Sequence, residues 1–186
     1  MSGAYYYGWN KRLSHKMCQK IIDIGKGNWK RGKVVNTSVV PNRKNDVVWT
    51  KEQWIYNIIW PYMIEANACA EWKYDIVGAE ACQVTRYTKD DFYSWHKDGL
   101  GSHYEVHDKP DNKFLHENTR KLSMTIVLNS EFEGGDFELR DLDEKLPRLN
   151  KGSVIVFPSF IHHRVAPVTK GIRYSLVAWF VGPPFI

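Results

Sequence analysis

The chain has 186 residues, of which 43% are hydrophobic, so a buried core can form and extensive disorder is excluded. The net charge is +5, but the basic residues are scattered, which favours an ordinary solvated surface over a dedicated nucleic-acid interface. Three cysteines, Cys18, Cys69 and Cys82, lack CxxC spacing, which argues against a disulfide framework or a structural zinc site. We expect buried free thiols.

Membrane and targeting signals are not evident in the sequence. Residues 1–10 contain no long apolar run, and no stretch approaches the ~20 apolar residues that cross a bilayer. We therefore expect no signal peptide, no membrane partner and a cytoplasmic protein that forms a single domain over residues 1–186.

The first 79 residues are expected to form a mainly helical support. In chain order, the pattern predicts a helix from Ser14 to Ile24, an extended segment Val34–Val40, and a second helix from Thr50 to about Trp72. Pro61 lies within the second helix and must kink it or begin another, because proline has no amide donor.

From residue 80 the pattern changes to short β-runs, which continue to residue 181. The predicted strands are Glu80–Thr88, Phe92–Lys97, Lys121–Asn129, Asp136–Arg140, Gly152–Phe157 and Ile172–Val181. A polar segment, Gly99–Asn118, separates two of them and is long enough to act as a lid. Helices followed by short strands predict a mostly β fold with supporting helices, and a jelly roll is the natural candidate.

A metal-binding pattern begins at the second of these strands. His96 and Asp98 are two residues apart, so in a strand both side chains point to the same face. This spacing alone is weak evidence, but His163 follows a later strand. Two histidines and one carboxylate form the facial triad typical of non-haem iron(II) oxygenases, which leaves positions open for a 2-oxo acid and O₂.

A candidate anion site lies further along the chain. Arg173 follows His163 by ten residues and begins the last predicted strand. A buried arginine suits the distal carboxylate of a 2-oxo acid, because its planar guanidinium pairs with carboxylate through two hydrogen bonds. Ser175 shares the face of Arg173, and Tyr87 offers a second hydroxyl from an earlier strand. The alternative for Arg173 is a structural ion pair with an acidic neighbour.

Taken together, these residues resemble the prolyl 4-hydroxylase-like branch of the 2-oxoglutarate/iron(II) dioxygenases over residues 80–181. The resemblance rests on residues that occur in family order: Tyr87, Tyr93-x-x-His96-x-Asp98, Leu128-Asn129, Gly134-Gly135, Phe157-Pro158, His163-x-Val165-x-Pro167-Val168 and Gly171-x-Arg173-Tyr174-Ser175. It implies a double-stranded β-helix (jelly roll) and a hydroxylase that uses Fe(II), 2-oxoglutarate and O₂, with ascorbate as reductant.

The resemblance also implies a role for each site residue. His96, Asp98 and His163 would bind iron, and Arg173 would bind 2-oxoglutarate with help from Tyr87 and Ser175. His163 rather than His162 matches the family spacing. The substrate would be a prolyl residue of a peptide or protein, with residues 99–118 closing over it.

One departure concerns the co-substrate. Some relatives place a further co-substrate tyrosine before the Leu128-Asn129 pair, whereas this chain has Thr125-Ile126-Val127 there. Whether Thr125 or Tyr93 contacts 2-oxoglutarate stays open, because cross-strand packing is an equal alternative for Tyr93.

Three alternatives remain for the function. The substrate could be a free amino acid or another small molecule. A nucleobase is disfavoured, and with it a nucleic-acid partner, because such relatives carry a second arginine where this chain has Trp179. Trp179 is instead expected in the core. The third alternative, from another class, is a non-catalytic jelly-roll binding module. His103, His107 and His116 are irregularly spaced, so we expect solvated histidines rather than a second metal site.

Overall fold

The computed structural model describes residues 4–32, 42–99, 106–140, 142 and 146–185. The predicted extended segment Val34–Val40 lies outside these residues, as does His103. Two helices form within the described ranges, α1 (His15–Asp23) and α2 (Gln53–Cys69). No described helix is long and apolar enough to cross a bilayer.

Fourteen strands form in the same ranges, and most of them are short. They are β1 (Tyr7–Trp9), β2 (Lys30–Arg31), β3 (Arg43–Lys44), β4 (Asp46–Thr50), β5 (Gly78–Ala79), β6 (Cys82–Tyr87), β7 (Phe92–His96), β8 (Thr119–Val127), β9 (Phe132–Gly134), β10 (Phe137–Leu139), β11 (Val154–Pro158), β12 (His163–Val165), β13 (Val168–Gly171) and β14 (Arg173–Gly182).

The strands form two main antiparallel sheets that pack face to face. The larger sheet has the order β1-β11-β8-β14-β6-β4-β2, with β5 paired to β14, and the smaller has the order β10-β12-β7-β3. A cluster that includes Tyr87, Phe137, Phe157 and Val165 fills the space between them. This is the predicted jelly roll, and its non-sequential strand order brings residues distant in the chain to one pocket.

The helices pack against the larger sheet, on the face away from the smaller one. Ile21 of α1 and Ile59 of α2 are fully buried against a cluster that includes Ile126 and Leu176 of the sheet. This packing keeps one face of the larger sheet dry and leaves the opposite face, with its polar side chains, to line the space between the sheets.

The helix predictions are confirmed in position and corrected in detail. Ser14 caps α1 through a 3.3 Å hydrogen bond that its hydroxyl accepts from the Met17 amide. Thr50 ends β4 instead of starting α2, which begins after Glu52. The helix continues through Pro61 to Cys69 without a second start, because packing of its buried side outweighs the one lost amide donor.

All six predicted strands are present, with bounds shifted by a few residues. The sequence pattern missed the strands before residue 80, among which β4 joins the larger sheet and β3 the smaller. The division of the chain into a helical support over residues 1–79 and a jelly-roll core over residues 80–181 stays a prediction. The thiols also differ from expectation, because Cys18 and Cys82 are buried but Cys69 is exposed.

Candidate metal centre

Three side chains meet where β7 ends and β12 begins. The two strands are paired, and His163 lies directly opposite His96 in their register. Asp98 follows β7 by two residues. One ligand atom from each side chain can be chosen so that all three lie within 4.8 Å of one another. The three residues singled out in the sequence therefore converge, and His162 is not part of the cluster.

Backbone carbonyls fix the orientation of both imidazole rings. Nδ1 of His96 lies 2.7 Å from the Ser94 carbonyl oxygen, and Nδ1 of His163 lies 2.9 Å from that of Ile161. A carbonyl can only accept, so each Nδ1 carries a proton and each Nε2 keeps its lone pair. These lone pairs face the carboxylate, with Nε2 of His96 at 3.9 Å and Nε2 of His163 at 3.5 Å from Asp98 oxygens.

Burial and mutual charge set the protonation states at this cluster. Burial, together with the neighbouring His163, lowers the pKa of His96 to about 3, so the ring is neutral at neutral pH. Burial alone would raise the pKa of Asp98, but His163 and His96 outweigh it and lower that pKa to about 2. A neutral imidazole and an ionised carboxylate are the states that a divalent metal ion requires of its ligands.

Arg173 lies deep between the sheets with only 1% of its surface exposed. Its Nη1 donates a 2.8 Å hydrogen bond to Ser175 Oγ, and its guanidinium carbon lies 5.5 Å from the centre of the Tyr87 ring. Among the described residues no ion pair joins it to a carboxylate, so the structural ion pair is not found. Burial lowers the pKa of Arg173, although nearby Tyr87 and Asp136 oppose this. A buried cation of this kind is suited to an anionic ligand.

The surroundings of Arg173 support its position. Ser175 Oγ also lies 2.7 Å from Thr85 Oγ1, so the hydroxyl that accepts from the guanidinium is itself held by a second hydroxyl. Gly135 approaches from the turn after β9, and a Cβ there would lie 2.9 Å from Arg173 Cδ. Its φ of +62° also favours glycine. Glycine at position 135 therefore serves both the chain reversal and the close packing against Arg173.

A pocket connects the metal-ligand cluster with the Ser175 side of the site. Its walls include Tyr87, which was predicted to bind the co-substrate, Tyr93 and Thr125, which the sequence left open as co-substrate contacts, and Trp179, which was expected in the core. The rings of Tyr93 and His96 stack with their centroids 3.5 Å apart. The guanidinium of Arg43 lies over the Tyr93 ring, 4.7 Å from its centroid.

The sequence missed several lining residues. Gln83 and Thr85 share the face of Tyr87, so strand periodicity could have found them. Arg43 carried no such signal, because its strand, β3, has only two residues.

The described end of the polar segment, residues 106–118, contacts residues next to the pocket. His107 Nε2 lies 3.5 Å from Glu80 Oε1, and Glu80 also pairs with Arg120 through both carboxylate oxygens. Arg120 in turn lies 4.2 Å over the Trp179 ring. The expectation of a solvated His107 is therefore wrong, since only 11% of its side chain is exposed and it contacts an acid from the core.

Comparison with known proteins decides the family. The model of the 2OG-Fe(II) oxygenase superfamily matches residues 82–181, which span every predicted site residue. The chain belongs to the 2OG-Fe(II) oxygenase superfamily. Within it, the predicted metal-ligand cluster and the buried arginine lie inside the matched range.

Curated relatives of this member of the superfamily are named PKHD-type hydroxylases. One from Synechococcus sp. (strain CC9311) is 37% identical over 79 residues, 41% of this chain and 35% of that protein. One from Thermosynechococcus vestitus (strain NIES-2133 / IAM M-273 / BP-1) is 48% identical over 61 residues, 31% of this chain and 27% of that protein. The matched part thus spans about a third of the length of these relatives.

Solved structures show the same fold. The viral collagen prolyl hydroxylase from Paramecium Bursaria Chlorella virus-1, as a 2OG complex, superposes with a TM-score of 0.69 at 20% identity and covers 97% of both chains. A Trichoplax adhaerens prolyl hydroxylase, in complex with a hypoxia inducible factor peptide fragment, gives 0.65 at 18% identity over 95% of this chain and 83% of that one. The jelly roll of this oxygenase is therefore shared along nearly its whole length.

The residues present fit the iron and co-substrate that the family name implies. Two imidazole nitrogens and one carboxylate converge within 4.8 Å of one another, which is a suitable donor set for iron(II). The buried guanidinium of Arg173, which pairs with no carboxylate among the described residues, fits a dicarboxylic co-substrate such as 2-oxoglutarate.

Proposed function

We propose that this protein is a 2-oxoglutarate- and Fe(II)-dependent dioxygenase that hydroxylates a C–H bond, and that its substrate is a prolyl residue of a peptide or protein. The observation that carries the proposal is the convergence of His96, Asp98 and His163 on a pocket lined also by Ser175, the hydrogen-bond partner of the buried Arg173. Neither feature alone would suffice, because metal clusters and buried arginines also occur separately in proteins of other function.

His96, Asp98 and His163 are the proposed ligands of the iron. Backbone carbonyls hold both Nδ1 atoms, which leaves both Nε2 atoms to the metal ion, and the carboxylate of Asp98 is already ionised. Loaded with iron(II) and 2-oxoglutarate, the site supplies the O₂-dependent oxidation that converts C–H to C–OH, while 2-oxoglutarate leaves as succinate and CO₂.

Arg173 is the proposed partner of the distal carboxylate of 2-oxoglutarate. Its hydrogen bond to Ser175 holds the guanidinium in place before the anion arrives, so little side-chain freedom is lost on binding. Tyr87 lies beside it in the register of β6 and β14. The aromatic rings of Phe137 and Phe157 line the same pocket and exclude water from the co-substrate.

The prolyl substrate is supported by the relatives and by the pocket walls. The curated relatives are named PKHD-type hydroxylases, and the solved structures with this fold include prolyl hydroxylases. In this chain Val165, Val177 and Trp179 present apolar surface to the pocket, which suits a pyrrolidine ring.

A screen for succinate release tests the proposal. Proline-containing peptides and free amino acids are incubated with the protein, Fe(II), 2-oxoglutarate and ascorbate, and the candidate product is checked by mass spectrometry for one added oxygen atom. We expect succinate only when Fe(II) and 2-oxoglutarate are both present, and the most from a peptide. If succinate is released with a free amino acid and with none of the peptides, the substrate is not a prolyl residue of a peptide or protein.

Two neighbouring histidines provide a matched pair of variants for this screen. We expect His163→Ala to lower turnover by more than about 100-fold, since loss of a direct ligand should exceed the effect of losing a supporting hydrogen bond. His162→Ala removes the same side chain one residue earlier and should keep the activity. Equal activity of the two variants, or no Fe(II) binding by the unmodified protein, would rule out the proposed site and favour a binding module.

A further inference from the structure

A buried serine contacts the carboxylate of the metal-ligand cluster. Ser123 lies in the middle of β8 with none of its surface exposed, and its Oγ lies 2.7 Å from Asp98 Oδ2. The serine hydroxyl is the donor and the carboxylate oxygen the acceptor. This is a charge-assisted hydrogen bond in a dry environment, where such bonds are strongest.

A second serine completes a short chain of hydroxyl groups. Ser159 Oγ lies 2.9 Å from Ser123 Oγ. Because the one hydroxyl proton of Ser123 goes to Asp98, Ser159 must donate to Ser123. The Ser159 carbonyl also accepts a 2.9 Å hydrogen bond from the Asp98 amide, and its own amide donates to the Lys121 carbonyl at 3.0 Å. The backbone and the side chain of Asp98 are thus both held from the same two residues.

The two carboxylate oxygens therefore differ in their surroundings. Oδ2 accepts a hydrogen bond from Ser123 and lies 3.5 Å from His163 Nε2, whereas Oδ1 has no hydrogen-bond donor among the described residues and lies 3.9 Å from His96 Nε2. A carboxylate with two free oxygens can bind a cation through either or both of them. Because Oδ2 gives one lone pair to Ser123, Oδ1 is the oxygen that keeps both lone pairs for a ligand bond.

We propose that Ser123 is a positioning residue that holds Asp98 through Oδ2, so that Oδ1 is the oxygen favoured for the bond to the metal ion. This inference rests on the proposed function, in which Asp98 is a ligand. A carboxylate held to one ligand bond leaves the other coordination positions to the co-substrates. Ser159 acts one step further out, because it orients the hydroxyl of Ser123.

Metal binding in the absence of turnover tests the role of Ser123. Mn(II) is titrated into the metal-free protein by calorimetry, and 2-oxoglutarate is then titrated into the Mn(II)-saturated protein. We expect Ser123→Ala to weaken Mn(II) binding by about 10- to 100-fold, the usual effect of losing such a supporting contact. Ser123→Ala should also weaken 2-oxoglutarate binding, because Oδ2 becomes free to occupy a further position on the ion.

A serine elsewhere in the core serves as the matched control. Ser153 is also buried, and its hydroxyl donates to Asn10 Oδ1 at 3.1 Å, away from the metal-ligand cluster. Ser153→Ala should lower the free energy of unfolding by an amount similar to Ser123→Ala and leave the Mn(II) affinity unchanged. Ser123→Thr keeps the hydroxyl and should restore the affinity. Ser159→Ala, which adds no bulk, should give a smaller loss than Ser123→Ala.

The outcomes separate this inference from the proposed function. If Ser123→Ala binds Mn(II) and 2-oxoglutarate as tightly as the unmodified protein, the positioning role is wrong and the metal site stands. The same conclusion follows if Ser153→Ala loses as much affinity as Ser123→Ala. If the unmodified protein binds Mn(II) no better than His163→Ala, the metal site itself is wrong.

Discussion

The metal-ligand cluster and the site of Arg173 meet opposite electrostatic demands. At the cluster, the metal end of the site, Asp98 is ionised beside two imidazoles and accepts a hydrogen bond from Ser123. At the arginine end, Arg173 carries a positive charge whose only hydrogen-bonded partner in the described residues is Ser175. The metal end is thus stabilised by donors of its own, whereas the arginine end keeps a buried charge with no opposite charge paired to it.

The unpaired charge of Arg173 lowers the stability of the ligand-free protein and at the same time favours the binding of an anion. A buried ion without a partner is costly, and a bound anion would remove that cost. A divalent cation at one end and a dicarboxylate at the other would each meet the charge it lacks. Binding of the two should therefore be mutually favourable, and the same coupling energy must appear in both affinities.

The largest effect is expected from replacing the buried cation. Arg173→Met should weaken 2-oxoglutarate binding to the Mn(II)-loaded protein by about 2 kcal/mol or more, roughly 30-fold, because a buried charged partner is lost. The same change should raise the free energy of unfolding of the ligand-free protein by about 1–4 kcal/mol, because an unpaired charge is replaced by an apolar chain of similar volume. Calorimetry and urea unfolding measure the two effects.

Arg86→Met is the control for this change. Arg86 is paired with Asp46 at 2.7 Å on a neighbouring strand, so its replacement should lower the stability and leave 2-oxoglutarate binding intact. If Arg173→Met instead lowers the free energy of unfolding, the buried charge of Arg173 does not destabilise the ligand-free protein.

Acid should affect the metal end and leave the arginine end unchanged. Burial and His163 lower the pKa of His96 from 6.5 to about 3 in the folded protein, so on acidification the unfolded chain takes up the proton first. The free energy of unfolding of the metal-free protein should therefore fall as the pH falls from about 6.5 to about 3. Asp98, whose pKa falls from 3.8 to about 2, adds to this loss at the acid end of the range.

Urea unfolding at a series of pH values measures this dependence. His96→Phe keeps an aromatic ring against Tyr93 and removes the titrating group, so its stability should change less over the same range. An identical pH dependence in both proteins would show that other groups control the acid sensitivity.

The smallest effect separates backbone strain from contact with Arg173. Gly135→Ala and Gly27→Ala both place a side chain at positive φ, +62° and +77°, at a cost of about 1–2 kcal/mol each. A Cβ at Gly27 meets nothing within 4 Å, whereas one at Gly135 would press on Arg173. Only Gly135→Ala should weaken 2-oxoglutarate binding, by less than about tenfold. Equal binding by the two variants would show that Arg173 adjusts freely.

Much of the fold and the centre of the site could be predicted because their signals are local. His96 and Asp98 share a strand face by simple alternation, and Arg173 and Ser175 do so as well. The six longer strands were visible as apolar runs for the same reason. The ligand set suggested that a later histidine joins His96, but the choice of His163 over His162 came from the resemblance, since cross-strand pairing cannot be deduced from spacing along one chain.

The missed features depend on contacts between distant segments. Strands of two or three residues, such as β3 and β12, carry too few side chains to form a pattern. Ser123 looked like any small residue in a core strand, because its role depends on Asp98 and Ser159 meeting it in space. His107 was expected in solvent for a similar reason, because its partner Glu80 lies far away in sequence.

The register of β7 and β12 gives a bound metal ion a mechanical role. His96 and His163 face each other across this pair, so an ion held by both would tie two antiparallel strands together at one rung of the ladder. The clamp would act directly on the smaller sheet, whereas the larger sheet packs against α1 and α2 and reaches the ion only indirectly, through Ser123 and Asp98. Amide hydrogens of β7 and β12 should therefore exchange with deuterium faster once a chelator has stripped the ion, while those of β8 and β14 keep their protection.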